Sequence, residues 1–183
     1  MLSTFATRKF EALFDHLDLN DDQVIDTEDF RRYAARMQAE RGWSDDEPKL
    51  TAMLSATHDW WTDMIKRAGG DDQKVTRQEW LSFWEAIGQE FATTKMPPPW
   101  ALTLCQRTHQ ALDLNGDGTV NAEEYAAWLR AIGSKADPAA VFAKLDLNGD
   151  GVVNVVEMMG LFGQFAVSED PADPGNYLMT GTF

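Results

Sequence analysis

Asp113-Leu-Asn-Gly-Asp-Gly-Thr-Val-Asn-Ala-Glu-Glu124 and Asp146-Leu-Asn-Gly-Asp-Gly-Val-Val-Asn-Val-Val-Glu157 are nearly the same twelve-residue stretch, and Asp18-Leu-Asn-Asp-Asp-Gln-Val-Ile-Asp-Thr-Glu-Asp29 is a third version. Each is preceded by apolar residues at helical spacing: Phe10, Leu13, Phe14 and Leu17; Leu102, Cys105 and Leu112; Val141, Phe142 and Leu145. Each is followed by another such set: Phe30, Tyr33 and Met37; Tyr125, Trp128, Leu129 and Ile132; Met158, Met159, Phe162 and Phe165. The unit is therefore helix, acidic loop, helix, repeated.

Three units are an odd number, and the interval between residues 30 and 100 holds the fourth. Leu50, Met53, Leu54, Thr57, Trp61, Met64, Ile65 and Ala68 mark one face of a long helix, with Ser44 and Glu47 expected to form a capping box at its start. Trp80, Phe83, Trp84, Ile87 and Phe91 mark the next helix. Between them lies Ala68-Gly-Gly-Asp-Asp-Gln-Lys-Val-Thr-Arg-Gln-Glu79, a degraded copy of the loop.

Repeated helix–loop–helix units with Asp, Asn, Asp and Glu at fixed offsets are EF-hands. Ca²⁺ is a hard cation that takes six to eight oxygens, and such a loop supplies them from positions 1, 3, 5, 7, 9 and 12. The third loop offers Asp113, Asn115, Asp117, the Thr119 carbonyl, Asn121 through water and a bidentate Glu124. The fourth offers Asp146, Asn148, Asp150, the Val152 carbonyl, Asn154 and Glu157. Gly118 and Gly151 occupy the sixth position, where the turn needs a positive φ.

The first loop offers Asp18, Asn20, Asp22, the Val24 carbonyl, Asp26 and Asp29, and departs in two places. Gln23 replaces the turn glycine, at a cost on the order of 1 kcal/mol in the left-handed conformation. Asp29 replaces the twelfth-position Glu, and its shorter side chain is expected to give one oxygen, which moves preference toward Mg²⁺. The second loop has Ala68 and Gly70 at positions 1 and 3, leaving Asp72 and Glu79 as acidic ligands, so it is expected to be silent. Its expected task is pairing. The eighth-position residues Ile25, Val75, Val120 and Val153 are all β-branched, as a short two-stranded contact between loops favours.

The expected fold is all-α: four EF-hands in two packed pairs forming one globule, with short β contacts between paired loops. Residues 1–92 are read as the N-terminal pair and 93–99, with prolines at 97–99, as a linker. Residues 100–167 form the C-terminal pair, in which Gly133-Ser134 ends one helix and Asp137-Pro138 starts the next. The tail, 168–183, is read as non-helical. Its Tyr177, Leu178, Met179 and Phe183 suggest that it packs on the body.

Thirty acidic against 16 basic side chains give a formal charge of −14, which repels nucleic acid and anionic membranes alike. Three bound Ca²⁺ would reduce that repulsion and stabilise the loaded form. A single cysteine, Cys105, forms no intrachain disulfide, and no apolar run spans a bilayer or resembles a signal peptide. A cytoplasmic, monomeric protein is expected. Its partners are divalent ions, a protein target being possible but not indicated. No motif of an enzyme is present.

Four hands with a silent second, long segments between the first three, and a folded-looking tail resemble the sarcoplasmic calcium-binding proteins and their bacterial relatives such as calerythrin. That resemblance implies a compact helical globule that buffers cytosolic Ca²⁺ and Mg²⁺, with the tail segment Pro174–Leu178 packed on it. A sensor exposing apolar surface to a target is the alternative, disfavoured because the helix faces carry Trp and Phe rather than Met. A luciferin-binding or photoprotein-like role is a minor one, resting on His16, His58 and His109 near aromatic residues. Against it, the chain ends in Phe183 rather than the terminal proline of photoproteins.

Overall fold

The computed structural model describes residues 1–68 and 73–182. Helices α1 (Thr4–Leu17) and α2 (Thr27–Arg41) flank the first loop, and α3 (Pro48–Ala68) and α4 (Arg77–Thr94) flank the second. Helices α5 (Pro99–Leu112) and α6 (Ala122–Ala131) flank the third, and α7 (Pro138–Leu145) and α8 (Val155–Val167) the fourth. Four short strands, β1 (Val24–Ile25), β2 (Val75–Thr76), β3 (Thr119–Asn121) and β4 (Val152–Asn154), lie inside the loops.

The loops meet in pairs as their β-branched centres require. β1 pairs antiparallel with β2, placing Ile25 opposite Val75, and β3 with β4, placing Val120 opposite Val153. All four of these side chains are buried. The exit helices start on capping boxes: Asp26 with Asp29, Thr76 with Glu79, Asn121 with Glu124, and Asn154 with Glu157. In each, the ninth-position side chain accepts an N–H of the first turn while the twelfth-position carboxylate accepts the ninth N–H, so the loop's end and the helix's start are one hydrogen-bonded unit.

Aromatic side chains weld the two pairs into one core. Phe10 of α1 stacks on Trp84 of α4 with centroids 4.7 Å apart and planes within 6°. Phe165 of α8 meets both rings edge-on at 5.7 and 5.5 Å. Trp60 of α3 packs against Trp80 at 5.8 Å and Trp100 of α5 at 6.2 Å. The Trp80 indole N–H donates to the Phe10 carbonyl at 2.8 Å, and that of Trp100 donates to Asp63 at 2.8 Å. Such contacts add about 0.5–1.5 kcal/mol per ring pair beyond area burial. Cys105 is buried here and desolvation pushes its thiol up to about 12, so it behaves as an inert apolar residue.

Several local expectations need correction. Ser44 does not cap α3: its hydroxyl donates to Asp46 at 2.5 Å, and the helix begins at Pro48, where Glu47 accepts the Lys49 N–H at 3.2 Å. Leu102 is 39 % exposed, so the apolar face of α5 turns away from it. The tail is not wholly irregular, because Pro174–Tyr177 form a turn of 3₁₀ helix. It lies on α8 with Asn176, Leu178 and Thr180 buried. The Tyr125 hydroxyl donates to the Leu178 carbonyl at 3.1 Å, and Ser134 to the Thr180 carbonyl at 2.7 Å. From α1, the buried Lys9 ammonium donates to the Ser168 carbonyl at 2.9 Å and to the Asn176 side-chain oxygen at 3.1 Å. Phe183 lies outside the described residues. Among the described residues, no helix is long and apolar enough to cross a membrane.

Candidate metal centre

The loops curl because the first-position Asp gathers main-chain N–H groups. In the third loop one Asp113 oxygen accepts the Gly116 N–H at 2.6 Å and the other that of Gly118 at 2.9 Å. Asp146 takes Gly149 at 2.8 Å and Gly151 at 2.9 Å, and Asp18 takes Asp22 at 3.1 Å and Gln23 at 2.9 Å. These donors wrap the backbone around the carboxylate and fix its orientation toward the loop's interior.

The third-position Asn follows one scheme throughout. Asn20, Asn115 and Asn148 each accept the fifth-position N–H, at 3.1, 2.8 and 2.8 Å. Each also donates to the fifth-position carboxylate, at 3.0, 2.9 and 3.0 Å. The Thr119 hydroxyl donates to Asp117 at 2.7 Å; with the Thr119 N–H and Asn115 it holds that carboxyl below the usual carboxylate range. The same scheme serves loops one, three and four because the same residue types occupy the same offsets.

The twelfth-position carboxylates close the loops. Glu124 accepts the Leu114 and Asn115 N–H groups on one oxygen and that of Asn121 on the other. Glu157 accepts the Asn154 N–H at 3.0 Å and its side-chain amide at 2.7 Å. Asp29 reproduces the Glu124 arrangement despite its shorter side chain, one oxygen taking Leu19 at 2.8 Å and the other Asp26 at 2.9 Å. Asp29 is only 1 % exposed, and that desolvation raises its pKa.

Backbone strain separates the first loop from the others. Gly118 and Gly151 have φ of 86° and 88°, and Gln23 holds the same conformation at 69°. Sequence reading missed a second such position. Asp21 has φ 60° where the third and fourth loops carry Gly116 and Gly149 at 77° and 73°. The signal was present, since glycine stands at the fourth position in both regular loops. The first loop thus holds two side chains in a left-handed conformation, each costing roughly 1 kcal/mol. In the second loop Gln73 has φ 57° and Glu79 accepts the Thr76 N–H at 2.8 Å, so the turn and the closing contact persist. Gly70 and Asp72, on which the expectation of silence rests, lie outside the described residues, as does the side chain of Ala68.

The donor set tests well against a hard divalent cation: carboxylates, Asn oxygens and the carbonyls of Val24, Thr119 and Val152, with no sulfur or imidazole among them. Among the described residues, no three His, Cys, Asp or Glu side chains converge as a ready-made metal cluster. His109 is no ligand; it is buried, with Nε2 3.1 Å from the Val153 carbonyl, and ties α5 to β4. His58 is exposed, and the half-buried His16 has its pKa lowered, chiefly by desolvation.

Comparison with known proteins agrees with this architecture. A family model for the dockerin type I domain matches residues 111–162, the stretch that holds the two near-identical loops. Sarcoplasmic calcium-binding proteins I, III and IV of Branchiostoma lanceolatum are 27% identical over 181 residues, covering 97% of both chains. Calerythrin of Saccharopolyspora erythraea is 26% identical over 148 residues, covering 78% of this chain and 81% of its own. The solved structure of a sarcoplasmic calcium-binding protein from amphioxus superimposes with a TM-score of 0.75 at 27% identity over the full length of both chains. Four paired helix–loop–helix units, the tail seated on α8 and likeness along the whole chain make this protein similar to the sarcoplasmic calcium-binding proteins and calerythrin, which share its EF-hand architecture.

Proposed function

We propose that this chain is a cytoplasmic, monomeric Ca²⁺/Mg²⁺ buffer with three metal sites, in loops 18–29, 113–124 and 146–157. The observation that carries the reading is the shared hydrogen-bond scheme of those three loops, in which the first, third, fifth and twelfth side chains are held at equivalent places. In each, Asp18, Asp113 or Asp146 anchors the loop. Asn20 and Asp22, Asn115 and Asp117, or Asn148 and Asp150 supply the middle oxygens, and Asp29, Glu124 or Glu157 closes the set. A bound cation would supply positive charge among carboxylates that otherwise repel one another.

Buffer rather than sensor is favoured by what covers the apolar faces. The Trp and Phe side chains of both pairs face each other, and the tail adds Leu178 over the same core. One observation favours the sensor alternative. A cleft of about 510 Å³ between α5 and α8 is lined by Phe91, Leu102, Met159, Phe162 and Val167. An apolar dye that binds only in Ca²⁺ would support the sensor.

Titration calorimetry with and without millimolar Mg²⁺ tests the main reading. Three binding events are expected in the wild type and one in the Asp113→Ala, Asp146→Ala double variant, that one being the most reduced by Mg²⁺. A double variant that binds no divalent ion refutes the site in 18–29.

A further inference from the structure

The loops 113–124 and 146–157 are close to identical in sequence, but the rest of the chain does not treat them alike. Arg41, the last residue of α2, and Lys49, the second residue of α3, flank the short connection between those helices. Both turn toward the third loop. The Lys49 ammonium donates to the main-chain oxygen of Asp113, and an Arg41 Nη2–H donates to that of Glu124 at 3.4 Å. Two cations from the N-terminal half therefore rest on the first and twelfth residues of one loop.

Arg41 is the more unusual of the two. Its Nε and Nη1 are buried without a hydrogen-bond partner, and its guanidinium lies 5.9 Å from the Trp43 ring centroid. Burial opposes its charge most, and Arg130 adds to that, while Glu40 and Glu124 favour it, so part of what holds it in place is the Glu124 carboxylate. Lys49 sits at the C-terminal end of α5, where Asp113 is the cap residue and a cation is favoured by the helix dipole. Nothing equivalent serves the fourth loop. Among the described residues no side-chain cation reaches the main-chain oxygens of Asp146 or Glu157, and the neighbouring Lys144 lies 4.2 Å from the Tyr177 ring centroid.

We infer that Arg41 and Lys49 are tuning residues that set these two loops apart, weakening cation binding at 113–124 relative to 146–157 and linking it to the α2–α3 connection. The inference rests on the metal-binding reading proposed above. Neither contacted oxygen belongs to the ligand set, so the contacts add no donor to the site, and the charges remain. A unit charge about 7 Å from a divalent ion in a near-aqueous dielectric opposes its binding by roughly severalfold to tenfold. Linkage is reciprocal: a cation in the third loop repels Arg41 and Lys49 and loosens the connection that leaves the first hand.

The test is a Ca²⁺ titration followed by amide NMR. The sixth-position N–H of each loop donates to its first-position carboxylate, at 2.9 Å for Gly118 and for Gly151, so each resonance reports its own loop. In the wild type the Gly151 signal should move at lower free Ca²⁺ than that of Gly118. Lys49→Met removes a half-exposed charge and keeps the aliphatic stem. It should bring the Gly118 midpoint down severalfold and leave that of Gly151 within about twofold. Raising salt from about 0.05 to about 0.5 M should narrow the wild-type gap. Coincident wild-type midpoints, or a Lys49→Met variant in which Gly118 does not move or Gly151 moves equally, overturn the inference. If neither amide responds to Ca²⁺, the metal-binding reading itself fails.

Discussion

Replacing Gly175 with alanine should detach the tail. An alanine Cβ at this position would stand 2.2 Å from the Leu161 carbonyl oxygen and 2.5 Å from the Gln164 Cβ, both fixed parts of α8. Neither can yield, so the tail backbone must lift by more than an ångström. The Gly175 N–H would then lose Gln164, which accepts it at 2.9 Å. Overpacking alone costs about 1–3 kcal/mol. If the segment instead lifts fully, that strain is relieved but burial of Leu178 is lost, worth roughly 1.5–3 kcal/mol. So are the hydrogen bonds from Tyr125 and Ser134, at about 1 kcal/mol each. A total of about 3–5 kcal/mol is expected by urea denaturation in Ca²⁺, together with faster proteolysis between 168 and 182. Gly163→Ala is the control, because a Cβ there meets nothing within 4 Å. Being in a helix, it should be neutral or stabilise by up to about 1 kcal/mol. A Gly175→Ala protein within 0.5 kcal/mol of wild type, with unchanged protease resistance, would refute the account of the tail as a packed element.

Three further outcomes follow from the same geometry. Burial of Lys9 lowers its pKa from 10.5 to about 8 in the folded protein, so the unfolded chain binds the proton more tightly. Its contribution to stability should therefore rise by roughly 3 kcal/mol as pH increases from 8 to 10.5, and the Lys9→Met variant should lack that rise; parallel denaturation curves for the two proteins across this range would contradict it. Gln23→Gly should stabilise the protein by up to about 1 kcal/mol by removing a side chain held at φ 69°. An unchanged urea midpoint would show that the side-chain contact of Gln23 with Asp21, at 3.1 Å, offsets the strain. Val75→Ala should cost about 1–3 kcal/mol, because Val75 faces Ile25 with both side chains fully buried. It should also weaken binding at 18–29 in calorimetry while sparing 113–124 and 146–157; equal weakening of all three would deny the second hand its pairing role.

Much of the molecule was legible in order along the chain. The helix–loop–helix repeat, the Gly133 and Asp137–Pro138 punctuation and the pairing of Ile25 with Val75 and Val120 with Val153 all follow from local offsets. An EF-hand carries its ligands, its turn and its caps within twelve residues, so hydrogen bonds between near neighbours dictate its form. Ser44 failed as a cap for an equally local reason: Pro48 starts the helix, and Asp46 takes the hydroxyl.

Only the tertiary structure decided what distant segments do to one another. Lys9 is a charge on α1 whose partners, Ser168 and Asn176, come only with the tail folded over it. The need for glycine at 175 appears only once α8 lies within 2.2 Å of where a side chain would stand. Leu102 fitted the apolar stripe of α5 yet faces outward, because which arc of a helix is covered depends on the partners that arrive. The sequence determined four helix–loop–helix units whose loops meet in two pairs. The fold decided that Arg41 and Lys49 lean on one of two near-identical loops, since cations 83 and 64 residues from the groups they touch act through space and not along the chain.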